Sequence, residues 1–321
     1  MKLKSHRRFI TTMLFVLLFF VSAIALISST EDLIHKNGLK ALKEIVSAMF
    51  KPDLSYTILK LAAEAVFQTV AYAAAGITIA IVVGFLLAIP SSEIFKIKKN
   101  GINIAKHTLA FMRGIHEIIW AWFFVASIGL TPFSAVLAIA IPYAGTLGKI
   151  FSDILRNTNK NPIESLRKSG ASNIQQIVYG VIPENFNQLK SYIFYRFECA
   201  IRSSAILSFI GLGGLGYQIN ISLQDLKYAE VWTFVYTLAV VVIAVDFMGK
   251  VSRNESSKKL KSISNKVLTL VFIASWAYLI FLEDLSLLKI LTLRNLEYSL
   301  EFLRKLIGLG SENSPYLDIS I

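Results

Sequence analysis

Cysteine is almost absent from this chain: Cys199 is the only one among 321 residues, so no disulfide can form within the chain. It lies in an apolar stretch, where a lone thiol packs as a small apolar side chain. The four histidines are scattered, at His6, His35, His107 and His116. None forms an evident nucleophile–base pair with a serine or cysteine, as covalent catalysis would require. We therefore predict no catalytic residues, no metal site and no cofactor.

Charge is also scarce, at 17% of residues against 55% that are hydrophobic. Two stretches, 65–92 and 118–148, contain no charged side chain. About 20 consecutive apolar residues are enough for a helix to cross the hydrocarbon core of a bilayer. The sequence therefore predicts an all-α, polytopic helical membrane protein with the lipid bilayer as its surroundings.

The net charge of +12 is distributed unevenly along the chain. Most Lys and Arg residues, 22 of 33, fall in four segments, which are 1–8, 91–114, 149–196 and 249–266. The hydrophilic segments between them contain few cations, or their cations are balanced by acids. These segments are 30–65, 217–230 and 283–321. This alternation follows the positive-inside rule and places the N-terminus in the cytoplasm. Basicity here records topology, so we predict no nucleic-acid partner.

The apolar runs predict six core transmembrane helices and a seventh at the C-terminus, over about 9–28, 66–90, two helices around 118–148, 194–213, 230–248 and 266–282. Residues 118–148 would form roughly 46 Å of helix, which is too long for one span and too short for two. Gly129 and Pro132 mark a turn inside this stretch. The first of the two spans must therefore recruit preceding residues, which draws Glu117 and Arg113 to the inner edge of the membrane or deeper.

The first span begins after a basic lead and is followed by an amphipathic stretch, 30–65, that we expect outside the membrane. The basic lead also suits a signal peptide, with Ala23 to Ala25 as a cleavage site. An apolar run of about 19 residues favours a retained anchor, and cleavage is the alternative.

Residues 161–183 form a polar insert between apolar spans. Asn161 is predicted to cap a helix that begins at Pro162. Glu164 lies in the first turn of this helix, where a carboxylate suits the helix dipole. Gly170 is a natural C-terminal stop. This short helix is expected to leave Ile163 and Leu166 exposed, as a helix that docks in a partner's groove would.

A second helix of the insert is predicted to begin after Ser172 as its cap, to run to about Gly180, and to end at Pro183. The spacing of Glu164, Gly170 and Pro183 resembles the "EAA" loop of ABC-importer permeases, whose coupling helices dock on the ATPase. Ser165 and Leu166 stand where that family has two alanines. An ordinary helical hairpin is the plain alternative.

Ionisable residues also occur inside an apolar span, in the stretch YRFECAIRSS. Glu198 and Arg202 are four residues apart on one helix face, with Arg196 nearby. Charges in hydrocarbon are costly, so such residues usually face a bundle interior or a pathway. The alternative is an ion pair near the inner interface.

Four glycines follow this charged stretch, at Gly211, Gly213, Gly214 and Gly216. No Lys-Ser/Thr follows them and no strand precedes them, so they are not a nucleotide-binding loop. We expect either an unwound segment that lines a cavity or close helix packing.

Two strings sharpen the resemblance, YRFECAIRSSAILSFIGLGGLG and RGIHEIIWAWFFVASIGLTPF. They look like the phosphonate-type permeases of ABC importers, and the likeness runs over roughly 50–250. Two departures, Ala200 for a frequent Asn and His116 for a frequent Pro, bear on the identity of the ligand.

The resemblance implies a non-enzymatic permease subunit in a bacterial inner membrane. A cytoplasmic ATPase dimer would grip the insert, since this chain has no Walker motif. An extracytoplasmic binding protein would deliver an oxyanion such as phosphonate or phosphite. A second permease copy, identical or a sister chain, would complete the pathway. Arg196 and Arg202 would meet the anion, with Glu117 and Glu198 holding them. Alternatives within the class are importers of methionine or glycine betaine.

The resemblance also suggests three regions. Residues 1–65 form an anchor and external segment, 66–250 form the permease core with a cytoplasmic coupling loop at 149–195, and 251–321 form an extra helix and tail. Residues 265–318 echo 6–55, as the start of an interrupted second permease unit would, and we expect 265–321 to be dispensable for transport. A proton-coupled secondary transporter is the alternative from another class, and it predicts inverted repeats and no docking helix.

Overall fold

A computed structural model describes residues 2–28, 36–94, 99–253 and 258–281, and every element in these residues is helical. The chain divides into two compact units, Met1–Lys51 and Pro52–Ile321. The first unit contains two helices, α1 (Lys2–Ser28) and α2 (Lys36–Met49).

The second unit carries the remaining helices of the described chain. They are α3 (Tyr56–Ser91), α4 (Lys99–Gly114), α5 (Glu117–Ile128), α6 (Pro132–Arg156), α7 (Lys160–Lys168), α8 (Asn173–Gln176), α9 (Ile182–Leu207), α10 (Leu215–Gln224), α11 (Tyr228–Arg253) and α12 (Lys258–Phe281). Two π-turns, Ile177–Val181 and Ser208–Leu212, adjoin the two ends of α9. The prediction of an all-helical polytopic membrane protein is confirmed.

Six of the predicted spans have counterparts among the described helices. Four helices are long and apolar enough to cross a membrane, which are α3, α6, α11 and α12, and two bent pairs raise the total to six. The pairs are α4 with α5, bent by 89°, and the stretch through α9 with α10, bent by 52°. In α1 the apolar part described is the shorter stretch Ile10–Ser22.

Two predicted boundaries need correction. α3 begins at Tyr56, not near residue 66, because Lys60 and Glu64 form an exposed pair on the first turns of a helix that continues into the apolar run. The third span does recruit residues before Glu117, but they form a separate helix, α4. That helix is amphipathic and lies at 89° to α5, so the two helices count together as one bent span and not as a straight one.

The core of the second unit forms where α3 and α6 pack closely. The buried face of α3 is rich in alanine, from Ala71 to Ala75, and it meets Val136 and Ile139 of α6. Gly84 of α3 approaches Gly148 so closely that a Cβ on Gly84 would lie 3.0 Å from the Gly148 nitrogen. Small residues permit such an approach of two helix backbones.

The last described helix, α12, is part of this core. The indole N–H of Trp276 donates to the Thr78 hydroxyl at 3.3 Å, and the Phe272 ring lies 4.9 Å from that of Phe197. Leu279 is fully buried. α12 therefore packs on α3 and α9 as an integral helix. The second half of the proposed internal echo, residues 282–318, lies outside the described residues.

Candidate functional site

The connection between α6 and α9, residues 157–181, is built from local capping signals. α7 begins two residues earlier than predicted, because the Asn159 side chain, not that of Asn161, is the cap and accepts the backbone N–H of Asn161 at 3.1 Å. Pro162 is consequently inside the first turn, where its missing N–H costs no hydrogen bond. Glu164 is exposed, but because the helix begins earlier it lies beyond the first turn, contrary to the prediction.

The predicted end of α7 at Gly170 is confirmed. Gly170 has a φ of +84°, and its N–H donates to the Arg167 carbonyl at 3.1 Å. The N–H of Ala171 donates to the Leu166 carbonyl at 3.0 Å, which completes a Schellman ending. Ser172 then caps α8 as predicted, in a reciprocal capping box with Gln175.

The expectation that Ile163 and Leu166 are exposed is wrong. Ile163 is only 7% exposed and Leu166 is half-buried, because both lie over Gly180. A Cβ on Gly180 would lie 3.0 Å from a Leu166 methyl group and 3.6 Å from Ile163. The apolar side chains that the connection does expose belong to its second half and include Ile174 and Tyr179, 73% and 71% exposed.

Pro183 does not end a helix, contrary to the prediction. It lies in the first turn of α9, directly after the π-turn Ile177–Val181. The N–H of Ile182 reaches back five residues to the Ile177 carbonyl. The widened turn does not require an N–H from Pro183. Proline is therefore accommodated there, and the chain continues through it as a helix.

The sharp bend between α4 and α5 positions the charged residues of the third span. His116 is the N-cap of α5, and its Nδ1 accepts the backbone N–H of Ile118 at 3.3 Å. Glu117 is therefore in the first turn of α5, and Arg113 is in the last turn of α4. Each charge complements the dipole of its helix end.

These residues line a cavity of about 260 Å³ together with residues of α6 and α9. Its charged members are Arg113, Glu117 and Arg196, and His116, Tyr143 and Thr146 complete the polar lining. The sequence predicted that Arg113, Glu117 and Arg196 serve one translocation pathway. The fold brings all three to one cavity.

A chain of hydrogen bonds crosses the wall of this cavity. The Ser203 hydroxyl donates to Glu117 Oε1 at 2.7 Å, and it lies 2.9 Å from the Tyr143 hydroxyl. Arg196 contributes a buried Nε–H that has no hydrogen-bond partner among the described residues. An unpaired buried donor is costly, so this guanidinium is suited to a ligand that supplies an acceptor.

Glu198 and Arg202 lie apart from the cavity, on the outer face of α9. Arg202 donates to Glu198 Oε1 at 2.7 Å, and its side chain is 51% exposed. Tyr195 and Ile206 are exposed on the same helix. The intrahelical pair is thus formed, on a surface that this chain alone does not cover.

The glycines form an unwound junction before α10. Gly211, Gly213 and Gly214 have φ values of +98°, +80° and +86°. The Gln68 side-chain oxygen accepts the N–H of Gly214 at 2.8 Å, so a polar group of α3 holds the junction. Thr69 Oγ1 does the same for the next N–H, at 2.9 Å. Gly216 packs closely against the Ala205 carbonyl. The glycines therefore form an unwound segment at Gly211, Gly213 and Gly214 and a close helix contact at Gly216.

Sequence reasoning missed several residues of these sites. Tyr143 bonds to Ser203, and Ser203 bonds to Glu117, so three different helices are linked. Gln68 and Thr69 are polar residues in an uncharged span, and that contrast with their apolar neighbours was the available signal. Nothing local marked Tyr143, since it lies in a run of mixed small and apolar residues.

Comparison with known proteins gives a match over most of the chain. Residues 8–261 match the family described as "Binding-protein-dependent transport system inner membrane component". HtxC of Stutzerimonas stutzeri, a permease protein assigned to a phosphite transport system, is 32% identical over 66% of this chain and 74% of its own length. The phosphite transport system permease protein PtxC of the same organism is 27% identical over 68% of this chain and 78% of its own.

Solved structures share the fold. A chain of the MetNI methionine ABC transporter in an inward-facing conformation aligns with a TM-score of 0.56 and 18% identity, over 61% of this chain and 96% of its own. A chain of an amino acid ABC transporter aligns with a TM-score of 0.51 and 17% identity, over 61% and 94%.

Proposed function

This chain belongs to the family of binding-protein-dependent transport system inner membrane components and is a permease subunit of an ABC importer; from that premise we propose that it carries a phosphorus oxyanion such as phosphite or a phosphonate. The relatives HtxC and PtxC are assigned to phosphite transport by name. ATP hydrolysis belongs to a separate partner subunit.

The observation that carries the substrate proposal is the cavity between α4, α5, α6 and α9. It presents two guanidinium groups, Arg113 and Arg196, beside one carboxylate, Glu117. Guanidinium groups bind tetrahedral phosphorus oxyanions through paired N–H donors. Glu117 is held by Ser203, so it balances part of the positive charge without occupying the cavity.

A second permease copy completes the pathway, against the outer face of α9. Arg202 is half-exposed there, on a helix that spans the membrane, and a charge facing lipid is expensive. Covering by an equivalent or sister helix would remove Glu198 and Arg202 from lipid and place them on the path between the copies. The unwound Gly211 to Gly216 junction ends the same helix and lines that path.

The α6–α9 connection is the coupling loop, within the segment 149–195, and it docks on the cytoplasmic ATPase dimer. Glu164 and the exposed Ile174 and Tyr179 form its outward surface. Ile163, Leu166 and Gly180 hold its two halves together, so they transmit movement of the loop and do not contact the ATPase themselves. Gly170 and the π-turn before Pro183 fix the angle between those halves.

The orientation follows from the cations. The ends of α3 and α6 that join basic segments face the cytoplasm. The opposite end, around α10 and the start of α11, receives an extracytoplasmic binding protein in a bacterial inner membrane. The three regions 1–65, 66–250 and 251–321 keep their proposed roles, except that α12 belongs with the core.

Transport by proteoliposomes tests the proposal. The complex with its ATPase and binding protein is assayed for uptake of phosphite, methylphosphonate and methionine. We expect uptake of the phosphorus oxyanions, reduced at least tenfold by Arg196→Gln, because a hydrogen bond to a charged group contributes about 1.5–3 kcal/mol. Lys250→Gln, which removes an exposed cation from α11, is the control and should leave uptake unchanged. Uptake of methionine alone would contradict the proposal.

A further inference from the structure

A second polar cavity lies beside the first, nearer to the end of the bundle that carries α7 and α8. Its volume is about 270 Å³, and its lining consists of Ser91, Lys106, Leu109, Arg113, Lys149, Ser152 and Arg156. Four of these residues are cations, contributed by α4 and α6. We call it the basic cavity.

The acids around the basic cavity do not neutralise it. Glu93 pairs with Lys106 and lies 3.8 Å from Arg156, so one carboxylate serves two cations. Asp153 accepts from Lys149 at 2.6 Å. Arg113 has no ion pair among the described residues. Four cations against two carboxylates leave an excess of positive charge, which favours an anion in a partly enclosed site.

A buried hydroxyl adds a neutral donor. Ser152 is 2% exposed and lines the basic cavity. The combination of a hydroxyl with guanidinium and ammonium donors is one that a tetrahedral oxyanion satisfies.

Arg113 connects this cavity to the cavity of about 260 Å³ that Glu117 and Arg196 line, which we call the permeation cavity, since Arg113 lines both. The backbone around it is fixed, because α4 is seated against Gly145 of α6, where a Cβ would lie 2.7 Å from the Arg113 nitrogen. The backbone there cannot move away, but the long Arg113 side chain is exposed and can turn toward either cavity.

We propose that the basic cavity is a second binding site for a tetrahedral phosphorus oxyanion, which receives the anion that Arg113 passes from the permeation cavity toward the cytoplasm. This inference rests on the proposed function. The anion would then contact Arg196, Arg113 and Lys149 in that order, from the membrane interior to the end of the bundle that carries α7 and α8. The phosphate of a lipid headgroup has the same chemistry and is the competing source of an anion for this site.

Equilibrium binding of radiolabelled orthophosphate to the complex in neutral phosphatidylcholine nanodiscs tests the site. An Arg196→Gln background weakens the permeation cavity and isolates the basic cavity. In that background we expect Lys149→Gln and Ser152→Ala each to weaken retention about tenfold. Lys250→Gln is the matched control, because Lys250 and Asp246 form an i,i+4 pair of the same 2.6 Å length outside the cavity.

Unchanged retention in both Lys149→Gln and Ser152→Ala would overturn the proposal. Ser152→Ala removes one hydroxyl only, so it keeps the test valid if loss of Lys149 prevents folding. A second arm replaces part of the lipid with phosphatidylglycerol. If wild-type protein retains no orthophosphate in neutral lipid, but enriches phosphatidylglycerol in a way that Lys149→Gln abolishes, the site holds a headgroup and the exit role is overturned.

Failure of the proposed substrate is distinguishable from failure of this site. Stimulation of the ATPase by phosphite-loaded binding protein depends on the substrate assignment and is measured in the same nanodiscs. Stimulation with no effect of Lys149→Gln on retention would refute the basic cavity alone.

Discussion

The Ser203 hydroxyl donates a 2.7 Å hydrogen bond to Glu117, across 86 residues of sequence, and so ties α9 to the first turn of α5. The same hydroxyl lies 2.9 Å from the Tyr143 hydroxyl on α6. One side chain thus fixes three helices at the wall of the cavity that Glu117 and Arg196 line. Any change in the angle between α5 and α9 during transport must either break the Ser203–Glu117 hydrogen bond or move both side chains together.

Replacing Ser203 by alanine should destabilise the cavity wall. Both Glu117 and Tyr143 lose a partner, and an unsatisfied buried polar group costs about 1–3 kcal/mol. We expect a lower thermal unfolding midpoint and reduced uptake. Ser275→Ala is the control, because that serine is also buried but bonds only to a carbonyl of its own helix, Val271. Equal midpoints for the two variants would contradict the prediction.

Substitutions of Gly170 should separate backbone strain from volume. No atom lies within 4 Å of a Cβ built there, so the cost comes from the φ of +84° alone. Gly170→Val should cost about 1–2 kcal/mol locally and abolish the coupling of ATP hydrolysis to uptake, while membrane insertion survives. Gly170→Asn should be milder, since Asn tolerates this region of φ. Wild-type uptake in the valine variant would show that the angle at Gly170 is unimportant.

Glu198 and Arg202 allow a test of pathway against packing. Arg202→Gln should abolish uptake under either role, because it leaves Glu198 without its partner. If Arg202 meets the anion, the double variant with Glu198→Gln should stay inactive although folded, and this is the outcome we expect. Restored uptake in the double variant, in which neither charge is left unpaired, would assign the pair to packing.

Two truncations test the role of the C-terminal region. The sequence predicted that residues 265–321 are dispensable, but α12 buries Leu279 and packs Phe272 against Phe197. We therefore expect truncation after Lys261 to lower the yield of folded protein sharply. Truncation after Phe281 keeps every described contact of α12 and is the matched control, for which we expect uptake to persist. Normal folding of the protein truncated after Lys261 would support the original prediction that residues 265–321 are dispensable.

The pH dependence of the link at Glu93 follows from its partners. A hydrogen bond and the positive charge of Lys106 lower the pKa of this carboxyl, and Arg156 lowers the pKa further. A lowered pKa means that the stabilisation is present above the unfolded pKa and is lost as the pH falls through the folded pKa. The unfolding midpoint of Glu93→Gln should therefore lie below that of wild type at pH 7, and the two should converge as the pH falls through the lowered pKa of Glu93. A gap that persists at low pH would contradict this assignment.

Local chemistry decided much of the fold in advance. Uncharged runs fixed where helices cross, since hydrocarbon admits few charges, and Gly170 and Ser172 fixed the turn inside the α6–α9 connection, since caps bond to their own backbone. These features depend on residues within a few positions of one another, and a single sequence displays them directly.

Tertiary packing decided the rest. The burial of Ile163 and Leu166 required Gly180 to open a space, and the assembly of Glu117, Ser203 and Tyr143 required three distant helices to meet. Which faces of apolar helices come together is set by the fit of small residues such as Gly84 and Gly148, and not by hydrophobicity, which is nearly uniform around a membrane helix. The sequence by itself determined the apolar runs that cross the membrane and the caps at Gly170 and Ser172; the structure alone decided which side chains share a cavity and that α12 belongs to the core.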